Sequence, residues 1–172
     1  VQMHPAHSIM NIDILSFERM AYRVFDELGT DTLEVLEETG KHLLLRKISQ
    51  EKKDSLEVLS KNVKKPGYIT QIKSLISEFM QYDISPETVE EMVEHPAMSK
   101  AFKKKTGDIL ILYREYKNRL EGSYITGEEV LQKLMDVAEQ SKILRGACVV
   151  FDGFTGFTPI QNQFLQILLT LA

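Results

Sequence analysis

The stretch ACVVFDGFTGFTPIQ, residues 147–161, decides how this sequence is read. Five small or apolar residues run up to one aspartate, Asp152. Gly153 and Phe154 follow, and Thr158, Pro159 and Gln161 then open a helix. A short apolar run bounded by turn residues reads as a strand, and Gly153 ends it. Thr158 with Gln161 three residues on is a capping box, with proline at the first helical position. Cys148 lies inside the apolar run and reads as a small core residue rather than a nucleophile. The stretch is therefore strand, turn and helix, with one carboxylate at the strand's end. Asp152 has two readings, a metal-site residue or a cap on the turn.

At the other end of the chain, residues 9–17 (IMNIDILSF) read as a second strand leading into a helix, SFERMAYRVFDELG. Met20, Val24, Phe25 and Leu28 fall on one face of it, and Gly29 stops it. Asp31 is placed to cap a helix carrying Leu33, Leu36 and residues 43–45. Leu56, Leu59 and Val63 keep helical spacing until Pro66-Gly67 breaks it. Ile69, Ile72, Ile76, Phe79 and Met80 form the buried face of a further helix. Ser85-Pro86-Glu87 starts a short helix that ends near His95-Pro96. A long helix over residues 98–120 carries Ile109, Leu112, Tyr113, Tyr116 and Leu120. Thr126 and Glu129 make a capping box for the next helix.

The expected fold is mainly α: a helical block flanked by two short parallel strands, residues 9–17 and 147–151. The strands are too distant in sequence for a hairpin, so they pair as neighbours in a parallel sheet, with the chain termini close together. Residues 1–172 form one unit of three parts: a strand-helix segment over 9–29, a helical insertion over 30–145, and a strand with its following helix over 146–172. The first residue is Val, and the chain stops at LLTLA with a helical pattern still running, so a piece of a longer protein is expected.

Composition narrows the function. Hydrophobic residues are 43% and charged residues 27% of 172, ordinary for a globular chain. The formal net charge of -4 gives no global pull toward nucleic acid or anionic membrane, so any such contact must come from local patches. A single cysteine forms no internal disulfide and suits a reducing, cytoplasmic setting. No apolar stretch is long enough for a membrane span, and no signal peptide is visible. His4, His7, His42 and His95 are scattered with no cysteine partner, which argues against zinc. The acidic pairs Glu37-Glu38, Glu90-Glu91 and Glu128-Glu129 read as helix surface, and no nucleophile–base pair assembles into a small enzyme.

Three separated segments carry a resemblance. IDILSFERMAYRVFDELG is similar to the segment of superfamily I helicases that lies along single-stranded DNA. LEGSYITGEEVLQKL resembles the helix before their Walker B strand, and VVFDGFTGFTPIQ resembles Walker B itself, with Asp152, Phe154 and Gln161 in register. Gly153 stands where those enzymes have a glutamate. Together these segments resemble the B subunit (AddB or RexB type) of the bacterial AddAB ATP-dependent helicase–deoxyribonuclease.

That resemblance implies that the flanking strands belong to a RecA-like α/β helicase domain with a degenerate Walker B. In a working helicase the aspartate helps to hold Mg²⁺ and the glutamate positions the attacking water. Asp152 retains the first capacity only if a phosphate loop comes from elsewhere, because no G-x-x-x-x-G-K-[ST] is present. Gly153 lacks the second, so no catalytic residue is assigned. The parent chain would take ATP, Mg²⁺ and an iron–sulfur cluster, none of them held by this chain alone.

The implied role is in double-strand-break processing: reading the single strand for a recombination hotspot (Chi) beside an AddA-type helicase–nuclease partner. Phe17, Arg19 and Tyr22, with Phe157, are the expected DNA-binding residues, as aromatics stack on bases and arginine holds a phosphate or base edge. Phe17 and Tyr22 equally suit core filling. Lys103, Lys104 and Lys105, with Lys100, suit a DNA path or a solvated helix face, as do Arg46-Lys47 and Lys64-Lys65. The alternative to a DNA channel is a helical interaction module that docks the partner chain and touches no DNA.

Overall fold

The computed structural model describes residues 12–30 and 34–172. Among them the chain is mainly helical. Helix α1 (Phe17–Leu28) is followed by strand β1 (Glu34–Val35) and helix α2 (Glu38–Glu51), then by two short 3-10 turns at Lys53–Ser55 and Leu59–Asn62. Helices α3 (Tyr68–Gln81), α4 (Pro86–Glu94) and α5 (Lys100–Leu120) come next. Strand β2 (Tyr124–Ile125), α6 (Gly127–Val137), a 3-10 turn at Ala138–Gln140 and α7 (Pro159–Leu171) complete it.

Local chemistry sets most of these boundaries. Ser16, Ser85 and Ser99 each accept a hydrogen bond from a first-turn amide of α1, α4 and α5, satisfying a donor that has no partner within the helix. Thr126 and Thr158 close capping boxes with Glu129 and Gln161. Gly29 ends α1 in the left-handed conformation, φ 61°, which costs a glycine nothing.

The strands lie elsewhere than expected. Two short parallel strands are present, with Glu34 opposite Tyr124 and Val35 opposite Ile125, but both fall inside the stretch read as helical insertion. Residues 9–11, the start of the expected first strand, lie outside the described residues, as do Asp31 and Leu33. Residues 12–16 make no ladder, and Phe17 already begins α1. Residues 147–151 make none either, and Val150 is 81% exposed. A strand exists only through the strand beside it, and no described residue pairs with these two runs. Cys148 is accordingly exposed, not buried as the apolar run suggested. The two runs still approach one another: the Phe17 and Phe151 rings are 6.0 Å apart.

The helices gather two hydrophobic clusters. One takes Leu45 and Ile48 of α2, Ile72 and Ile76 of α3, Val89 of α4, and Leu112 and Tyr116 of α5. Leu56, just after the first 3-10 turn, and Leu59, at the start of the second, join it. The other takes Val24 and Phe25 of α1, Val130 and Leu134 of α6, and Phe164 and Leu168 of α7. Burying each such side chain contributes about 1.5–3 kcal/mol.

The junction between the clusters is polar. Lys41, only 4% exposed, donates to both carboxylate oxygens of Glu128 at 3.0 and 2.8 Å. Lys117 pairs with Glu129 at 2.6 Å, and Gln163 donates to Asp83 at 3.0 Å. A cleft of about 200 Å³ lies here, lined from both sides by residues such as Met80, Tyr113, Glu128 and Ile160.

Candidate nucleic-acid interface

Phe17 begins α1 just after the Ser16 cap, where the helix meets the turn around Asp152. Its ring sits among four others: Phe151 at 6.0 Å, Phe154 at 5.5 Å, Phe157 at 6.3 Å and Phe164 at 6.1 Å. Phe154 and Phe157 stack at 5.0 Å. Phe164 is wholly buried, whereas Phe151 and Phe154 are 40% and 47% exposed. The cluster thus grades from core to solvent. Aromatic pairs at these separations gain about 0.5–1.5 kcal/mol beyond burial, so a turn with no regular structure is held in place.

Gly153 shapes that turn. Its φ is 77° and open space surrounds it, so the backbone there suits glycine because of its conformation rather than crowding. A glutamate in its place would carry a left-handed backbone costing about 1–2 kcal/mol. Asp152 is exposed. Gln161 is engaged in the α7 cap: its Oε1 accepts from the Thr158 amide at 2.9 Å, and its own amide donates to Thr158 Oγ1 at 3.4 Å.

The residues expected on α1 do not share one face. At 100° per residue, Arg19 lies about 200° and Tyr22 about 140° around the helix from Phe17. Phe17 therefore turns toward the aromatic cluster, while Arg19 is exposed on the far side. Tyr22 is half-buried, edge-on to Phe25 at 6.2 Å. Burial, with Glu18 and Glu37 nearby, raises its phenol pKa, so it is a neutral donor at pH 7. Arg23 follows Arg19 by one turn and pairs with Asp13 at 3.1 Å. Arg23, Phe151 and Phe154 are not among the residues expected from the sequence. The spacing of Phe151, Phe154 and Phe157 at every third residue was the available signal for the last two.

The lysines of α5 differ in their partners. Lys103 Nζ donates to the Glu94 carbonyl at 3.2 Å. Lys104 pairs with Glu57 at 2.7 Å, which raises its pKa, and Lys105 is exposed. These three lie with the first hydrophobic cluster, and Phe17 with the second.

For the groups that the resemblance implies, the donors are few. Asp152 offers one carboxylate, and no group of three His, Cys, Asp or Glu able to hold a metal occurs among the described residues. Mg²⁺ would need further ligands from elsewhere. An iron–sulfur cluster takes about four thiolates, and the chain has one cysteine. Among the described residues the donors thus fall short of a site for Mg²⁺, and one thiolate falls short of an iron–sulfur cluster. No helix among the described residues is long and apolar enough to cross a membrane.

Comparison with known proteins gives this arrangement its context. The family model described as ADDB, N-terminal, matches residues 1–172. A relative from Lachnoclostridium phytofermentans is 41% identical over 172 residues, covering 100% of this chain and 15% of its own length. One from Alkaliphilus metalliredigens is 35% identical, covering 95% of this chain and 14% of its own. One from Bacillus anthracis is 33% identical, covering 91% and 14%. All three are named as the B subunit of an ATP-dependent helicase/deoxyribonuclease. The chain thus spans about 15% of the length of the curated relatives it matches. A full-length family match, with relatives of one name over nearly the whole chain, places it: the chain belongs to the ADDB N-terminal family.

Proposed function

We propose that this chain is a non-catalytic part of a helicase–deoxyribonuclease subunit that processes double-strand breaks, contributing to a single-stranded DNA channel and to hotspot (Chi) recognition. The observation that carries the reading is the graded aromatic cluster around Phe17, with Phe151 and Phe154 partly open to solvent. Exposed rings held by buried ones make a platform for unpaired bases, worth about 1–3 kcal/mol per stacked base. Arg19, on the far side of α1 from the Phe17 ring, supplies a cation for a phosphate of a strand that wraps the helix, beside Arg23, which pairs with Asp13. Phe157, half-buried, stacks on Phe154 at 5.0 Å and extends the platform.

In this reading the parent protein is cytoplasmic, works with an AddA-type helicase–nuclease, and draws ATP, Mg²⁺ and the iron–sulfur cluster from parts beyond these residues. Residues 12–16 and 147–151 complete their pairing in a RecA-like sheet. A second reading, an interaction module without DNA contact, has its own support in Ile14 and Val150, 92% and 81% exposed.

Fluorescence anisotropy with a labelled single-stranded oligonucleotide, at low and moderate salt, separates the two. The channel reading expects salt-sensitive binding, weakened about fivefold or more by Phe154→Ala and by Arg19→Ala. Binding unchanged by both substitutions, or absent at low salt, would move the assignment to the interaction module.

A further inference from the structure

Many of the chain's lysines and arginines are paired, while Arg19, Arg46, Lys47, Lys133 and Lys142 are scattered, exposed cations. Around the polar junction and along α5, Lys41, Lys52, Lys73, Arg114, Lys117 and Arg119 each meet a carboxylate. At one end of the first cluster the pattern reverses. Residues 53–65 and 100–105 hold eight lysines against two acids, in a chain whose net charge is -4. Lys53, Lys61, Lys64, Lys65, Lys100 and Lys105 are exposed and make no ion pair among the described residues.

These two sequence segments are fastened together. Asp108, one turn beyond Lys104 on α5, accepts the amides of Glu57, Val58 and Leu59 at 2.8, 2.8 and 2.7 Å. Lys104 also pairs with Glu57. The segment carrying Lys53 to Lys65 is thereby held against the start of α5. That start is itself unusual: four of its first six residues are lysine, and no acid lies in the first turn. Cations there oppose the helix dipole and repel one another. The bonds to Asp108 and the Lys104–Glu57 pair bring the two lysine-rich segments together, where a polyanion would offset both costs.

We infer that this lysine surface binds the phosphate backbone of duplex DNA. It rests on the helicase–nuclease reading, since such a protein must meet duplex before single strand. Lysine is a point charge that contacts phosphate without reading bases. In the basic segments Phe102 is the exposed aromatic, against the several rings of the single-strand platform. The surface belongs to the first hydrophobic cluster and the platform to the second, so one molecule would hold duplex and single strand at separate places.

The test is binding of the 172-residue chain to a labelled 20-base-pair duplex and to one of its strands across a salt series. The proposal expects duplex affinity to fall with salt. Lys64→Gln, Lys65→Gln and Lys105→Gln combined should weaken it about tenfold or more and flatten the log–log slope by about 2 to 3. A control triple of equal charge change, Lys47→Gln, Lys133→Gln and Lys142→Gln, should cost less than about threefold. Equal losses from both triples would overturn the proposal as a whole-molecule charge effect, and so would no duplex binding at low salt. Binding confined to the single strand and lost with Phe102→Ala would overturn it too. Arg19→Ala separates this proposal from the single-strand platform, since it should spare duplex binding whether or not it weakens the single strand.

Discussion

Asp108 shows how one side chain fixes a segment that has little regular structure of its own. It is 2% exposed and spends its two oxygens on three consecutive amides, those of Glu57, Val58 and Leu59. A buried carboxylate is costly unless its lone pairs are filled, and here backbone donors fill them. Glu27 acts similarly at another loop, accepting from Ser141 Oγ at 2.6 Å and from the Lys142 amide at 2.8 Å. Those hydrogen bonds, the one from Ser141 foremost, hold the Glu27 carboxyl below its usual pKa. Removing Asp108 strands several donors at once, each worth about 1–3 kcal/mol when buried unsatisfied. Asp108→Ala is expected to cost about 3 kcal/mol or more. Asp108→Asn, which keeps one acceptor oxygen, should cost about half as much. Urea unfolding followed by far-UV circular dichroism measures both; equal and small losses would mean that the segment is held by Leu56 and Leu59 alone.

The helices were far more legible than the strands, and the difference is physical. Ser85-Pro86, Thr126 with Glu129, and Thr158 with Gln161 each satisfy their own backbone donors within four residues, so the signal is local. The pairing of Glu34–Val35 with Tyr124–Ile125 joins segments about ninety residues apart, and two residues leave no periodicity to read. Residues 147–151 carried a stronger strand signal and form no ladder, because pairing needs a partner that composition does not reveal. The site was half legible: the aromatic identities stood out, but the helical register that turns Arg19 away from Phe17 did not. The bond between Lys41 of α2 and Glu128 of α6 was also invisible, since Glu128 reads as helix surface and Lys41 carries no signal of its own. Their side chains are 5% and 9% exposed. Burial works against charge on both, yet the pairing wins, with the Lys41 pKa raised and the Glu128 pKa lowered. Breaking such a pair from one side leaves an uncompensated buried charge. Lys41→Met or Glu128→Gln alone should therefore cost about 3–5 kcal/mol, and the two together distinctly less than their sum. A double-mutant cycle in urea checks this, and strict additivity would show that the two groups are not coupled.

The molecule as a whole is two apolar clusters meeting across charge, and that arrangement predicts how acid acts on it. The groups at or near the junction are carboxylates with depressed pKa values. Hydrogen bonds from Lys73 and then Lys41 bring Glu38 down to about 2, and Glu128 is lowered by Lys41 against the opposing effect of burial. A carboxylate with a folded pKa below its unfolded value contributes stability that is fully present above the unfolded value, about 4.5. That contribution fades as pH falls through the window down to the folded value. Stability should therefore be level from about pH 7 to 5 and decline between about pH 4.5 and 2. Glu38 is largely solvent-exposed, 64% for its side chain, so screening keeps its share small and Glu128 carries more of the decline. The loss should appear first where the clusters meet. The apolar side chains of the two clusters carry no charge to lose, whereas Lys41, Lys73 and their partners hold α2, α3 and α6 together. Hydrogen exchange at pH 3 and pH 6 would then show amides of β1, β2 and the first turn of α6 losing protection before those around Leu112 or Phe164. A Glu128→Gln variant should lose most of this pH dependence while being less stable at pH 6. A profile of unchanged steepness in that variant would place the acid-sensitive groups elsewhere, with Glu27 and its Ser141 contact the next to test.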